Sequence, residues 1–137
     1  APDPDPDPDP DPEPLLCDEA INIVQTGILR GSTAGVASRV DGSCSRLGNG
    51  GSGEVIYWVG VLEPANIYLG TIGSDFDTVL SVWDASCENE LACNDDSTGT
   101  ASEILIEDAQ PGVIYHVVVE GYDASESGDF VLEVDLW

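Results

Sequence analysis

The chain has 137 residues, 42% of them hydrophobic, which is enough for one domain with a buried core. Three arginines, no lysine and 27 acids give a net charge of −24. A surface of that sign repels nucleic-acid phosphates and anionic lipid head groups and attracts cations, divalent ions most of all. No apolar run is long enough to span a bilayer, so membrane insertion is not expected.

Residues 1–14 read APDPDPDPDPDPEP. Proline lacks the amide hydrogen and disfavours helix in the residue before it, so alternating Asp-Pro forms neither helix nor central strand. The expectation is a polyproline II rod of about 40 Å. With three residues per turn, acids at every second position spread over all its faces. The reading divides the chain into this rod (1–14) and a folded domain (15–137). The rod holds six of the acids, so the domain is strongly acidic too. A start at Ala1 fits a mature product after signal cleavage.

From Ile21 onward the pattern is short β-type runs with turn punctuation. Strands are predicted over Ile21–Leu29, Glu54–Val61, Asn66–Ile72, Thr78–Trp83, Ser102–Glu107, Val113–Glu120 and Asp129–Leu136. Several alternate with period two, among them Tyr115, Val117, Val119 and Phe130, Leu132, Val134. Clusters of Gly, Ser, Asn and Asp separate them, and Gln110-Pro111-Gly112 reads as a tight turn between two strands. No stretch holds a helical period. The expected fold is all-β, an antiparallel β-sandwich of jelly-roll type.

Cysteines stand at 17, 44, 87 and 93. An even count in a small chain suits two disulfides and an oxidising compartment. Three pairings are possible, one of which closes a short loop between Cys87 and Cys93. No Cys-x-x-Cys spacing suggests zinc.

Two segments could carry chemistry. In Gly73-Ser74-Asp75-Phe76-Asp77-Thr78, an extended backbone puts Asp75 and Asp77 on one face and Phe76 on the other, toward the core. Two neighbouring carboxylates repel unless a cation lies between them. In Cys93-Asn94-Asp95-Asp96-Ser97, oxygen-bearing side chains follow an anchoring cysteine. Calcium takes six to eight hard oxygen ligands, and the two loops could supply them at one end of a sandwich. Glu54 is a secondary candidate. Asp3, Asp5, Asp7, Asp9 and Asp11 of the rod are candidates for ions shared between subunits. Local turn capping by Asp and Asn is the plainer account of such clusters.

Enzyme signatures are missing. The single histidine, His116, alternates with the core-facing Tyr115 and Val117 and is expected on an outer, solvent-facing side. No nucleophile elbow, phosphate loop or His-Glu-x-x-His occurs. Trp58, Trp83, Tyr68, Tyr122 and Trp137 could line a binding face, with Tyr122 and Trp137 expected to be the most exposed.

The order Gly73-Ser74-x-Phe76-Asp77-Thr78-x-Leu80, Cys87, Cys93-Asn94-Asp95-Asp96, followed by Gly112-x-x-Tyr115-x-Val117-x-Val119-x-Gly121-Tyr122 and Gly128-x-Phe130-x-Leu132-x-Val134, resembles the bacterial pre-peptidase C-terminal domain family and its cysteine-containing relatives. The resemblance covers roughly residues 17–136. It implies a secreted jelly-roll sandwich, usually appended to proteases or found in cell-surface proteins. Related domains in clostridial collagenases bind calcium and collagen. The resemblance also implies disulfides Cys17–Cys44 and Cys87–Cys93, and it matches Asp77, Asp95 and Asp96 as calcium ligands. The chain carries no protease domain to assist, which shifts the expectation toward assembly.

The resulting expectation is a non-catalytic extracellular protein of the bacterial cell surface that binds Ca2+ and polymerises with itself. Its acidic rod would dock on the acidic loops of the next subunit, building a filament. The alternative is a calcium-stabilised accessory module that adheres to matrix, polysaccharide or peptide.

Overall fold

The computed structural model describes residues 20–36, 42–44, 51–95 and 99–137. The Asp-Pro tract, Cys17 and Asp96 lie outside these residues. Nine strands are found among the described residues: β1 (Ile21–Asn22), β2 (Gly27–Ser32), β3 (Glu54–Val59), β4 (Ala65–Gly70), β5 (Thr78–Trp83), β6 (Glu90–Asn94), β7 (Glu103–Ala109), β8 (Tyr115–Gly121) and β9 (Asp129–Leu136). One sheet has the order β1-β3-β8-β5-β6 and the other β2-β9-β4-β7. Every pairing is antiparallel except the short parallel contact of β1 with β3. From β3 onward the chain changes sheet at each connection except the β5–β6 hairpin, which makes a sandwich.

Period-two alternation places one row of each strand between the sheets. Tyr57, Val59, Leu80, Val82, Val117 and Val119 face inward from the first sheet. Ile67, Leu69, Ile104, Phe130, Leu132 and Val134 face them from the second. The Tyr57 and Phe130 rings meet edge to face across this gap, 6.4 Å apart. Gly31, opposite Phe130 on β2, leaves room for that ring, because a Cβ there would stand 2.6 Å from Phe130 Cζ.

The outer face of the first sheet is also covered. Ile56, Val79, Ser81 and Val118 point away from the core and are buried. That explains why β8 reads Val117-Val118-Val119 without alternation, as a strand buried on both faces does. Residues 42–44 lie over this face. The Gly42 amide donates to Glu120 Oε2 at 2.7 Å, and Cys44 is bonded to Cys93.

That bond corrects the expected pairing, since it excludes both Cys17–Cys44 and Cys87–Cys93. Cys87 lies in the β5–β6 turn, while Cys93 lies well along β6, opposite Ser81. Six residues that run out of a turn into a strand separate two Cα atoms beyond the roughly 7 Å a disulfide can bridge. Cys87 is itself disulfide-bonded. The predicted strand Ile21–Leu29 is also corrected. It is two strands in different sheets, with Val24–Thr26 crossing between them.

Candidate functional site

The strand order collects acids at one end of the sandwich. Glu54 on β3 is paired directly with Glu120 on β8, and Glu120 is opposite Val79 on β5. Leu80 is opposite Asn94. Continuing that register puts Asp95 opposite Val79, so Asp95 and Asp77 fall on the same outer face as Glu120 and Glu54. Asp77 and Asp95 each have a carboxylate oxygen buried from solvent.

The loops that carry these acids are held by hydrogen bonds to their main-chain groups. Asp77 N donates to Glu126 Oε1 at 2.9 Å, and Tyr122 N donates to Asp77 O at 2.9 Å. The Ser102 hydroxyl lies within hydrogen-bonding reach of both Thr78 O and Asp95 O, next to each of the two acidic loops. Behind it, Thr71 Oγ1 and Thr78 Oγ1 are 2.6 Å apart in a buried hydroxyl chain.

Other expected ligands go elsewhere. The Asn94 side chain accepts the Glu103 amide at 3.0 Å. Asp75 donates its amide to Asp129 O at 3.0 Å, and its side chain lines a separate open recess of about 500 Å³ with Arg30 and Asp129. The register therefore puts Asp77, Asp95 and Glu54 on one outer face of the first sheet, with Glu120 on the strand between Glu54 and Asp77, and leaves Asp75 and Asn94 apart from them. Asp96 and the rod residues Asp3, Asp5, Asp7, Asp9 and Asp11 lie outside the described residues. Among the described residues no group of three or more His, Cys, Asp or Glu side chains is arranged to hold a metal ion. Glu120 had a sequence signal: it sits in phase with His116 and Val118 at the end of an apolar run.

The opposite end is different in chemistry. Trp58, His116 and Trp83 form one cross-strand row on the outer face of the first sheet. His116 points outward as expected but is buried, 7% exposed, a correction to the solvent-facing reading. Its Nδ1 lies 3.0 Å from Asp84 O. A carbonyl only accepts, so Nδ1 carries the proton. The Asp84 carboxyl is held down at about 2 by hydrogen bonds from the Asn89 side chain and the Ser86 hydroxyl, reinforced by the amides of residues 89 and 88.

Beside this row are two recesses that share the Gly112–Ile114 segment in their lining. One, of about 380 Å³, is lined by Val24, Trp58, Leu62, Val113 and Ile114 among other uncharged residues. The second, of about 480 Å³, shares Gly112–Ile114 and adds Leu91 and Asp84. Leu62 is 96% exposed and Val24 74%. The sequence hint was apolar residues at turn positions, Val61-Leu62 ahead of Glu63-Pro64, where polar residues are usual. Of the aromatics expected outside, Trp137 is exposed and Tyr122 half-buried.

No protein-family model matches the chain, and no curated protein does. Solved structures do. The pre-peptidase C-terminal domain of collagenase from Bacillus anthracis aligns with a TM-score of 0.59 at 21% identity, over 85% of this chain and 95% of that one. PliG from Aeromonas hydrophila, a periplasmic inhibitor of g-type lysozyme, aligns with a TM-score of 0.59 at 13% identity, over 86% and 96%. The chain has the β-sandwich fold of a pre-peptidase C-terminal domain, as its motifs imply.

Proposed function

We propose that this chain is a non-catalytic extracellular module that acts by binding. The observation that carries the reading is the fold, shared over most of both chains with a domain of a collagenase and with a lysozyme inhibitor. Two further features support it. The Cys44–Cys93 disulfide suits an oxidising compartment. The single histidine is buried and engaged with a main-chain carbonyl, a structural rather than a reactive setting.

The reading includes calcium at the acidic end. Its support is the convergence of Asp77 and Asp95 on one face, where a divalent ion offsets carboxylate repulsion. Two carboxylates are fewer than calcium requires, so main-chain carbonyls and water would complete the shell.

The test is a binding panel with the full chain in calcium buffer. Immobilised collagen, g-type lysozyme and acidic and neutral polysaccharides would be read by surface plasmon resonance, with product release assayed in parallel. Saturable binding to one of them without turnover is expected. Turnover of any of them, or no saturable binding across the panel, would overturn the proposal.

A further inference from the structure

We infer that the outer face of the second sheet binds an extended neutral polysaccharide, laid along the strands from Trp137 over Tyr68 into the recess beside Arg30. The inference rests on the reading of this chain as a binding module and names the class of its ligand.

Strand alternation defines the face. Phe130, Leu132 and Val134 point into the core, so Asp129, Val131, Glu133 and Asp135 point outward. Their cross-strand partners share that side: Ser32 and Arg30 on β2, Gly70 and Tyr68 on β4. Trp137 continues the alternation, because its main chain exchanges hydrogen bonds of 3.1 and 2.7 Å with that of Asn66.

Two aromatic rings and a polar recess fall along this face. Trp137 is 60% exposed. Tyr68, one cross-strand pair further on, leans along its own strand over Gly70. A Cβ on Gly70 would stand 2.3 Å from the phenol oxygen and 2.9 Å from Cζ. The hydroxyl donates to Glu103 Oε2 at 2.5 Å, which fixes the ring in that pose. The lean carries the ring toward the open recess of about 500 Å³ that Arg30, Asp75 and Asp129 line. From Trp137 to Val131, at the recess, is about 20 Å along the strand. That length suits a chain of several units rather than one small molecule.

The chemistry of the track selects the ligand. A sugar unit has an apolar C–H face and a rim of hydroxyls that both donate and accept. Aromatic rings take the face. Carboxylates accept from the rim, and the Arg30 guanidinium donates to it. An anionic polysaccharide is repelled by a chain of net charge −24. A basic peptide would meet its own charge in Arg30 at the recess.

The experiment is isothermal titration calorimetry on the full chain with soluble β-glucan, galactomannan, xylan and glycol chitin, beside polylysine and alginate, at low and high salt. Saturable binding to at least one neutral polymer is expected, unchanged by salt because no ion pair carries it. Tyr68→Ala, Trp137→Ala and Arg30→Ala should each weaken it about tenfold or more, with melting curves confirming that each variant is folded. Tyr68→Phe keeps the ring and should retain binding. Leu62→Ala, on a loop away from this face, should change nothing. No binding to any neutral polymer would overturn the inference. So would tighter binding of polylysine that salt abolishes, or an equal loss in Leu62→Ala. Binding of collagen or lysozyme without any neutral polysaccharide would sink the inference and leave the binding reading intact. Release of reducing ends from a polymer would overturn that reading itself.

Discussion

Glu54 and Glu120 lie directly opposite one another on adjacent central strands, and both are almost fully buried, at 2% and 0% exposed. Glu120 fastens the 42–44 segment through the Gly42 amide. This is a hydrogen bond in a buried site, where a lost acceptor is not replaced by water. Replacing Glu120 by Ala removes the acceptor and leaves a void, and should cost about 2–4 kcal/mol of stability. Urea denaturation reads this directly, and an unchanged midpoint would show that the carboxylate does not hold the cover in place.

The Cys44–Cys93 bond can be checked by digestion without reduction. Trypsin cuts after Arg30, Arg39 and Arg46 and isolates residues 40–46, which hold Cys44. That fragment should travel with 47–137 and be freed only by reductant. A product joining 1–30 to 40–46 alone would contradict the structure. The bond closes a loop of 49 residues, so replacing both cysteines by serine should cost about 4 kcal/mol on the chain-entropy estimate.

Much of the fold was legible because the hydrophobic period is local. Thr78–Trp83 and Asp129–Leu136 are strands with the bounds their alternation indicates. Phe76 lies in the core between Asp75 and Asp77, as period two requires. What the period could not reveal depends on which strands become neighbours. β6, Glu-Leu-Ala-Cys-Asn, has too little apolar alternation to stand out and forms because β5 templates it. The break between β1 and β2 falls where the chain leaves one sheet for the other, a tertiary event with no Pro to mark it. The Cys44 pairing depends on residues 42–44 meeting β6 and β8, far away in sequence, and His116 is engaged by the Asp84 carbonyl beyond the end of β5; neither is a local event. The convergence of Asp77 with Asp95 was legible from their loops. Glu120, at the end of an apolar run and in phase with His116 and Val118, carried a signal that the sequence reading missed.

The Asp84 carboxyl predicts a pH response. Its folded pKa lies near 2, below the ordinary 3.8. Its contribution to stability is therefore full above about pH 4 and is lost as pH falls toward 2. An Asp84→Asn variant should show a shallower fall in melting temperature over that window than the wild type. Identical curves would show that the turn does not depend on the ionised form.

Calcium makes its own prediction. Excess chelator should lower the melting temperature and added calcium restore it, with Asp77→Asn and Asp95→Asn each blunting the response. A melting curve unmoved by chelator would remove the ion from the acidic end and leave the binding reading to stand on the fold.

The pairing of β2 with β9, Gly27 against Val134 and Ser32 against Asp129, sets an order of events in time. Among the described residues β2 has no other partner in its sheet, so a strand near residue 30 waits for one near residue 130. During synthesis the first hundred or so residues can form local hairpins, but the second sheet cannot close until β9 emerges. Until then Phe130, Leu132 and Val134 are absent from the middle of the core and the partner face is open. Long-range closure of this kind is slow and leaves sticky intermediates. The incomplete chain, rather than the finished one, is the form most in need of a chaperone.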